Sequence, residues 1–308
     1  MDAARRLDPH ALYEEGVRHQ QAGRLADAAR ALTAAVECAP GWADALTALG
    51  NVARAMGKTD DARALHRAAL AEEPESAAIW SNLELTHKSA GDLGEAIACL
   101  AHAAALEPES AEIRFNLGNA YRAAGRREAA LAVLNEALAL DPAHVGARIN
   151  LAAALKDLGR LDDAVAHLED AVRRDPSHAD AEWNLALAYL LSGRMADGWL
   201  AYEARRRLPR FPVRQLAGPE WLGEPLDGAT LLVHAEQGLG DTIQFVRYVR
   251  FAARTGARTV LAAPRAMHRL PLGVPAGAPG PAPLGGQGGA ALPADRIPPH
   301  AADGLSGH

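Results

Sequence analysis

At 308 residues the chain has room for about two domains. Alanine supplies 71 of them, aromatics only 5%, and the formal net charge is -6, a composition that favours helices and excludes an overall basic surface for nucleic acid. No apolar run reaches the roughly eighteen residues of a membrane helix, and Met1-Asp2-Ala3-Ala4-Arg5-Arg6 lacks the apolar stretch of an export signal, so a cytoplasmic protein without membrane insertion is expected. Cys38 and Cys99 provide neither a disulfide framework nor a metal cluster and are expected to be small helix residues. The histidines show no metal-ligand spacing, and neither a metal nor a cofactor is expected.

A period of 34 residues organises the first two thirds of the chain. Pro40, Pro74, Pro108, Pro142 and Pro176 recur at it, as do Gly23, Gly57, Gly91, Gly125, Gly159 and Gly193. Ala28, Ala62, Ala96, Ala130 and Ala164, continued by Gly198, form a third register. Ala35, Ala69, Ala103, Ala137 and Ala171 form a fourth, and Leu49, Leu83, Leu117, Leu151 and Leu185 a fifth. Each period predicts two antiparallel helices. In residues 111–142 the first runs from about Ala111 to Ala124, with Leu117 and Tyr121 on one face, and ends at Gly125, where glycine accepts a left-handed conformation. The second runs from about Arg127 to Leu140 and stops at Asp141-Pro142, because proline lacks an amide donor and clashes with the preceding turn. One such hairpin cannot bury its apolar face alone, so the repeats are expected to stack into an all-α solenoid.

These small, large and closing positions resemble those of the tetratricopeptide repeat (TPR). Six units fit within 9–208, namely 9–42, 43–76, 77–110, 111–144, 145–178 and 179–208. Polar departures fall at the ends, with Glu15 in a Leu register and Arg205 in an Ala register, as solubility of terminal repeats requires. Glu84, in a small-residue position, is an internal departure with no explanation in the sequence. Arg24, Lys58, Arg126, Arg160 and Arg194 follow turn glycines and are expected to be solvated turn residues.

Asn82, Asn116, Asn150 and Asn184 share a further register, each one residue before the packing Leu. The resemblance implies a concave groove lined by first helices, and these amides should border it. An amide offers two donors and an acceptor, enough to pair with one peptide unit of a protein or peptide partner. A similar Asn ladder in the TPR superhelix of protein O-GlcNAc transferases implies peptide capture. The alternative is that the four Asn bond to neighbouring repeats or to water.

After Gly198 the pattern changes. Acidic residues dominate up to about 203 and arginine dominates 204–270. Residues 209–227 are expected to form a linker with aromatic anchors. Thr230 to Ala235 predicts a buried strand, Gln237-Gly238-Leu239-Gly240-Asp241 a glycine-rich loop, Thr242 to Thr255 a helix closed by Gly256, and Arg258 to Ala262 a second strand. This is the opening of a Rossmann-like α/β unit over 228–266, although Ile243 stands where a dinucleotide fingerprint has its third glycine. An unpaired unit of this size leaves sheet edges open and is expected to be marginal unless it docks.

The stretch Trp221-Leu222-Gly223-Glu224-Pro225-Leu226 with His234 to Phe245 resembles bacterial proteins that join TPR units to a heptosyltransferase-like glycosyltransferase domain. That resemblance implies Asp241 as an acceptor-side general base beside Gly238 and Gly240; the alternative role of Asp241 is a helix N-cap. Only one strand–helix–strand unit follows, so the glycosyltransferase-like domain is expected to be truncated, with a nucleotide-sugar bound only if it were complete. Residues 267–308, rich in Pro and Gly, are expected to be a disordered tail, and their abrupt onset suggests a frameshifted reading. The function expected is a peptide-binding TPR scaffold, the alternative a glycosyltransferase whose catalytic domain is cut short.

Overall fold

The computed structural model describes residues 8–211, 218–236 and 238–267. The chain packs as two compact units, the first ending at Asn184 and the second starting at Leu185. In the first, helical hairpins follow one another: α1 (Pro9–Gln21) with α2 (Leu25–Cys38), α3 (Ala43–Ala55) with α4 (Thr59–Glu72), and α5 (Ala77–Ser89) with α6 (Leu93–Leu106). Then come α7 (Ala111–Ala123) with α8 (Arg127–Leu140), and α9 (Val145–Asp157) with α10 (Leu161–Arg174). α11 (Ala179–Leu191) crosses the unit boundary. The expected helices over 111–142 thus agree with those observed to within one residue.

The turns explain the regularity. Each turn glycine lies at positive φ, from 72° at Gly23 to 82° at Gly193, a region that strains any side-chain-bearing residue. The next amide reaches back five residues, as in Arg126 N to Tyr121 O and Lys58 N to Ala53 O, both 2.9 Å. This closing bond satisfies a carbonyl that the helix end leaves without a partner.

Small residues let the two helices of a hairpin touch. Ala130 and Ala137 are fully buried, and a β-carbon added at Gly118 would stand 2.6 Å from Leu134 Cγ. Gly16 faces Leu32 in the same way, at 2.5 Å. Leu32, Leu100 and Leu134 occupy one register of the second helices and are fully buried or nearly so. Between hairpins, apolar clusters bridge neighbours: Ile97 and Leu100 meet Leu117 and Ala120, and Ala69 and Leu70 meet Ile79 and Leu83.

The second unit starts within α11 and continues through α12 (Met195–Tyr202) and a 3-10 turn, Glu203–Arg207. β1 (Thr230–His234) and β2 (Arg258–Ala262) pair in parallel, from Thr230 opposite Arg258 to His234 opposite Ala262. The helix expected over 242–255 is instead two short helices, α13 (Leu239–Phe245) and α14 (Val249–Ala253), joined by a 3-10 turn at Val246–Tyr248. The run Val246, Tyr248, Val249 is buried, so packing sets the helix path over this stretch. The strand ends at His234 rather than Ala235 and is not buried as expected: Thr230 and Leu232 are exposed and only His234 is buried.

Arg205 departs from the sequence expectation. It is not a solubilising surface residue: 1% exposed, it donates to Glu236 through two nitrogens, at 3.2 and 3.1 Å, and to the Tyr202 carbonyl. Glu203 adds a carboxylate at 3.2 Å. Trp199 of α12 sets its edge against Phe245 of α13 at 5.8 Å. Together these contacts tie the strand unit to α12 and its 3-10 turn. Glu15, by contrast, is exposed, as the terminal-repeat argument requires. Among the described residues no helix is long and apolar enough to cross a membrane. The expected tail falls, apart from Met267, outside the described residues.

Candidate functional site

The four register asparagines lie at one position of successive first helices, α5, α7, α9 and α11. The leucine that follows each is buried: Leu83, Leu117, Leu151 and Leu185. One residue round the helix, the asparagines are half-buried, at the margin of the packed stripe. Period and helix geometry place them there, because a 34-residue step returns each first helix to the same orientation.

Their partners divide the two roles considered for them. Asn82 Nδ2 donates to the Ala78 carbonyl at 3.0 Å and Asn184 Nδ2 to the Asp180 carbonyl at 2.7 Å, both within their own helix. Asn116 Nδ2 meets the Glu112 carboxylate at 3.4 Å, one turn back. Asn150 alone bridges repeats, donating to Asn119 Oδ1 at 2.6 Å. Asn119, one turn after Asn116 on α7, is a residue that the register argument passed over; its i+3 spacing from Asn116 was the available signal. An asparagine carries two N–H groups and one oxygen, so the bonds of Asn82, Asn116 and Asn184 each use one N–H and leave the oxygen free to accept.

The surrounding side chains fix the first helices in place. Trp80, Arg114 and Arg148 share a register, and each donates to the carbonyl of the closing proline six residues earlier, Trp80 Nε1 to Pro74 O at 3.0 Å. Trp80 stacks on His102 at 4.6 Å, and Phe115 meets His144 at 4.7 Å. Glu112 also faces His144 Nε2 at 3.3 Å, so this stretch of α7 presents an exposed carboxylate beside the amides. Arg148 bonds Asp170 at 2.9 Å, and the Arg174 guanidinium beside Asp170 is the first cause that holds its carboxyl below the usual range.

The turn cations are surface residues. Arg160 pairs with Asp163 at 2.6 Å and Arg194 with Asp197 at 2.9 Å, each three residues on in the helix that follows. Cys99 is buried, and that burial pushes its thiol up to about 11, which leaves it unreactive at neutral pH.

In the second unit Gly238 is the N-cap of α13, with φ -62°, and Leu239, Gly240 and Asp241 already belong to the helix. The N-cap role considered for Asp241 is therefore corrected: it sits in the first turn, exposed, without a side-chain capping bond. Its charge still complements the helix N-terminus. Gly240 has open space where a β-carbon would stand, so no close approach requires glycine there. Among the described residues, no three His, Cys, Asp or Glu side chains are grouped to hold a metal ion.

A family profile described as tetratricopeptide repeat matches residues 47–83, 85–145 and 149–209, and a second of the same description matches 122–171. Among solved structures, the type IV pilus biogenesis factor PilW is similar at 20% identity and a TM-score of 0.58, over 67% of this chain and 95% of that one. PilF of Pseudomonas aeruginosa is similar at 20% identity and 0.56, over 66% and 92%. A tetratricopeptide repeat protein of Parabacteroides merdae is similar at 21% identity and 0.56, over 63% and 77%. At these identities the likeness is one of fold. No functionally curated protein matches the chain.

Proposed function

Because the chain belongs to the tetratricopeptide repeat family, we propose that it is a cytoplasmic scaffold that holds an extended stretch of a partner polypeptide along the concave face of its first helices, through Asn82, Asn116, Asn150 and Asn184. The observation that carries this reading is the half-buried position of four amides at a constant sequence step, three of them with bonds only inside their own helix. An amide side chain pairs with the backbone groups that every peptide unit carries, so binding would depend little on the partner's side chains.

The test is a fluorescence titration with short synthetic peptides drawn from an array, using the wild-type chain and the variant with all four Asn changed to Ala. A net contribution of about 0.5–1.5 kcal/mol per hydrogen bond, summed over four, predicts an affinity loss of about thirtyfold or more. Helix content is expected to be unchanged, since alanine is the better helix former. Equal binding by the two proteins contradicts the reading.

The glycosyltransferase alternative draws on one feature, the parallel β1–α13–β2 crossover with Asp241 exposed in the first turn of α13. Its expected signature is a saturable rise in melting temperature with UDP- or ADP-sugars. We expect no shift, because the described α/β part is a two-stranded sheet that supplies half of the usual donor cleft at most. A saturable shift would favour the enzyme.

A further inference from the structure

Two registers break at one place, and a histidine of a third, variable register that also holds His19 and Ala53 lies beside them. His66 on α4 stands where Leu32, Leu100 and Leu134 stand in other hairpins, and His87 on α5 stands where Tyr121 and Leu155 do. Glu84 on α5 stands where Gly16, Gly50 and Gly118 do. All three are buried, at 0, 2 and 4% exposure. The departure that the sequence left unexplained at Glu84 is thus one member of a polar cluster at the α4–α5 junction.

The cluster is poorly paired. Neither nitrogen of His66 has a hydrogen-bond partner, nor do His87 Nδ1 or Arg54 Nε. The His66 ring is wedged against α3, where a β-carbon at Gly50 would stand 2.6 Å from Nε2. Arg54 and His87 are the charged and titratable groups that act on His66, Lys88 and Arg54 those that act on Glu84, and Asp92 pairs with Arg63 and His87 beside them. Arg54 is on α3 and Arg63 on α4 itself; His87, Glu84 and Lys88 are on α5; Asp92 follows α5 and lies 3.0 Å from Arg63 and 3.6 Å from His87. Cys99 of α6 closes the same core, with Glu84, Glu95 and Arg67 around it.

We propose that the α4–α5 junction is an acid-sensitive hinge of the solenoid: His66, sealed in a leucine position with no partner for either nitrogen, takes up a proton only when the second and third hairpins part. An imidazolium in that place would sit beside Arg54 with nothing to accept its two N–H groups. Burial first, then Arg54 and His87, push His66 down to about 4. Its folded value lies below the ordinary value of 6.5, so the stability it contributes is present above that pH and is lost as the pH falls toward 4. Glu84 works in the opposite sense. Burial raises it against the pull of Lys88 and Arg54, so its contribution is present in acid and lost as the pH rises. The hinge stands whether or not a peptide lies in the groove.

Cys99 reports the opening directly, since its thiol is buried in the apolar core shared by these hairpins. In the full chain carrying Cys38→Ser, trapping by a dithiodipyridine is measured at pH 8 and pH 5. Rates are normalised to the same chain in denaturant, which cancels thiol ionisation. The normalised rate is expected to rise on acidification by up to about thirtyfold, the ratio that a shift from 6.5 to about 4 implies for His66 alone, reduced by whatever Glu84 opposes. His66→Leu and His66→Gln each remove the titrating group, and in both the rise is expected to fall to threefold or less. Leucine is the residue of this register elsewhere, so His66→Leu is also expected to melt at a higher temperature. Glu84→Ala is expected to steepen the acid response. A rise of the same size in both His66 variants, or no rise in the parent, overturns the proposal.

Discussion

Leu134→Ala is expected to cost about 2–5 kcal/mol, the range for truncating a leucine that is fully enclosed. Leu134 is fully buried on α8 and lies against the bare backbone of Gly118 on α7, so nothing on the facing helix can expand into the space left behind. Gly118 was needed to admit the leucine; once the leucine is gone, the same glycine leaves a void. The loss should be local at first, because each hairpin contacts chiefly its neighbours. Hydrogen exchange should accelerate most in α7 and α8 and least in α1 and α2. A urea titration followed by circular dichroism gives the total. A loss below about 1 kcal/mol would mean that the hairpin collapses around the vacancy, contrary to the close-packed contact described.

Glu236→Ala is expected to cost about 3 kcal/mol in the second unit, since it removes the carboxylate that takes two N–H groups of a buried guanidinium. Arg205 is almost fully enclosed, and Glu236 takes two of its N–H groups, beside bonds to Glu203 and to the Tyr202 carbonyl. Trp199 against Phe245 supplies the readout, as its emission should shift toward that of solvated indole at lower urea than in the parent. The pair should also show strong non-additivity. Replacing Arg205 by Met together with Glu236 by Leu removes both charges and is expected to recover most of the loss, since a buried ion pair gains little over apolar packing. If the double variant is as unstable as Glu236→Ala, the loss arises from packing and the ion-pair account is wrong.

How much of this was legible beforehand differs between the two units. Glycine at positive φ and proline after each second helix fix helix ends to within a residue, because their constraints act through the backbone of the residue itself. The parallel strand pair was legible too, since Thr230 to His234 and Arg258 to Ala262 carry their own apolar, β-branched signal. The continuous helix over 242–255 was not, because the buried run at Val246, Tyr248 and Val249 serves the core rather than an unbroken helical ladder. For the candidate site, register alone placed the four asparagines at the margin of the packed stripe. It could not assign their bonds, since Asn150 finds Asn119 across a hairpin 31 residues away while Asn82 turns back on its own helix.

By itself the sequence determined the period, the hairpin and the lengths of the helices, all set by interactions within four or five residues along the chain. Only the tertiary structure decided which departures from the repeat meet one another. It gathered His66, His87 and Glu84 into one junction, and it buried Arg205 against a carboxylate 31 residues on. The physical reason is that stacking brings together residues far apart in sequence, and the energy of a buried charge depends on those neighbours rather than on its own segment of chain.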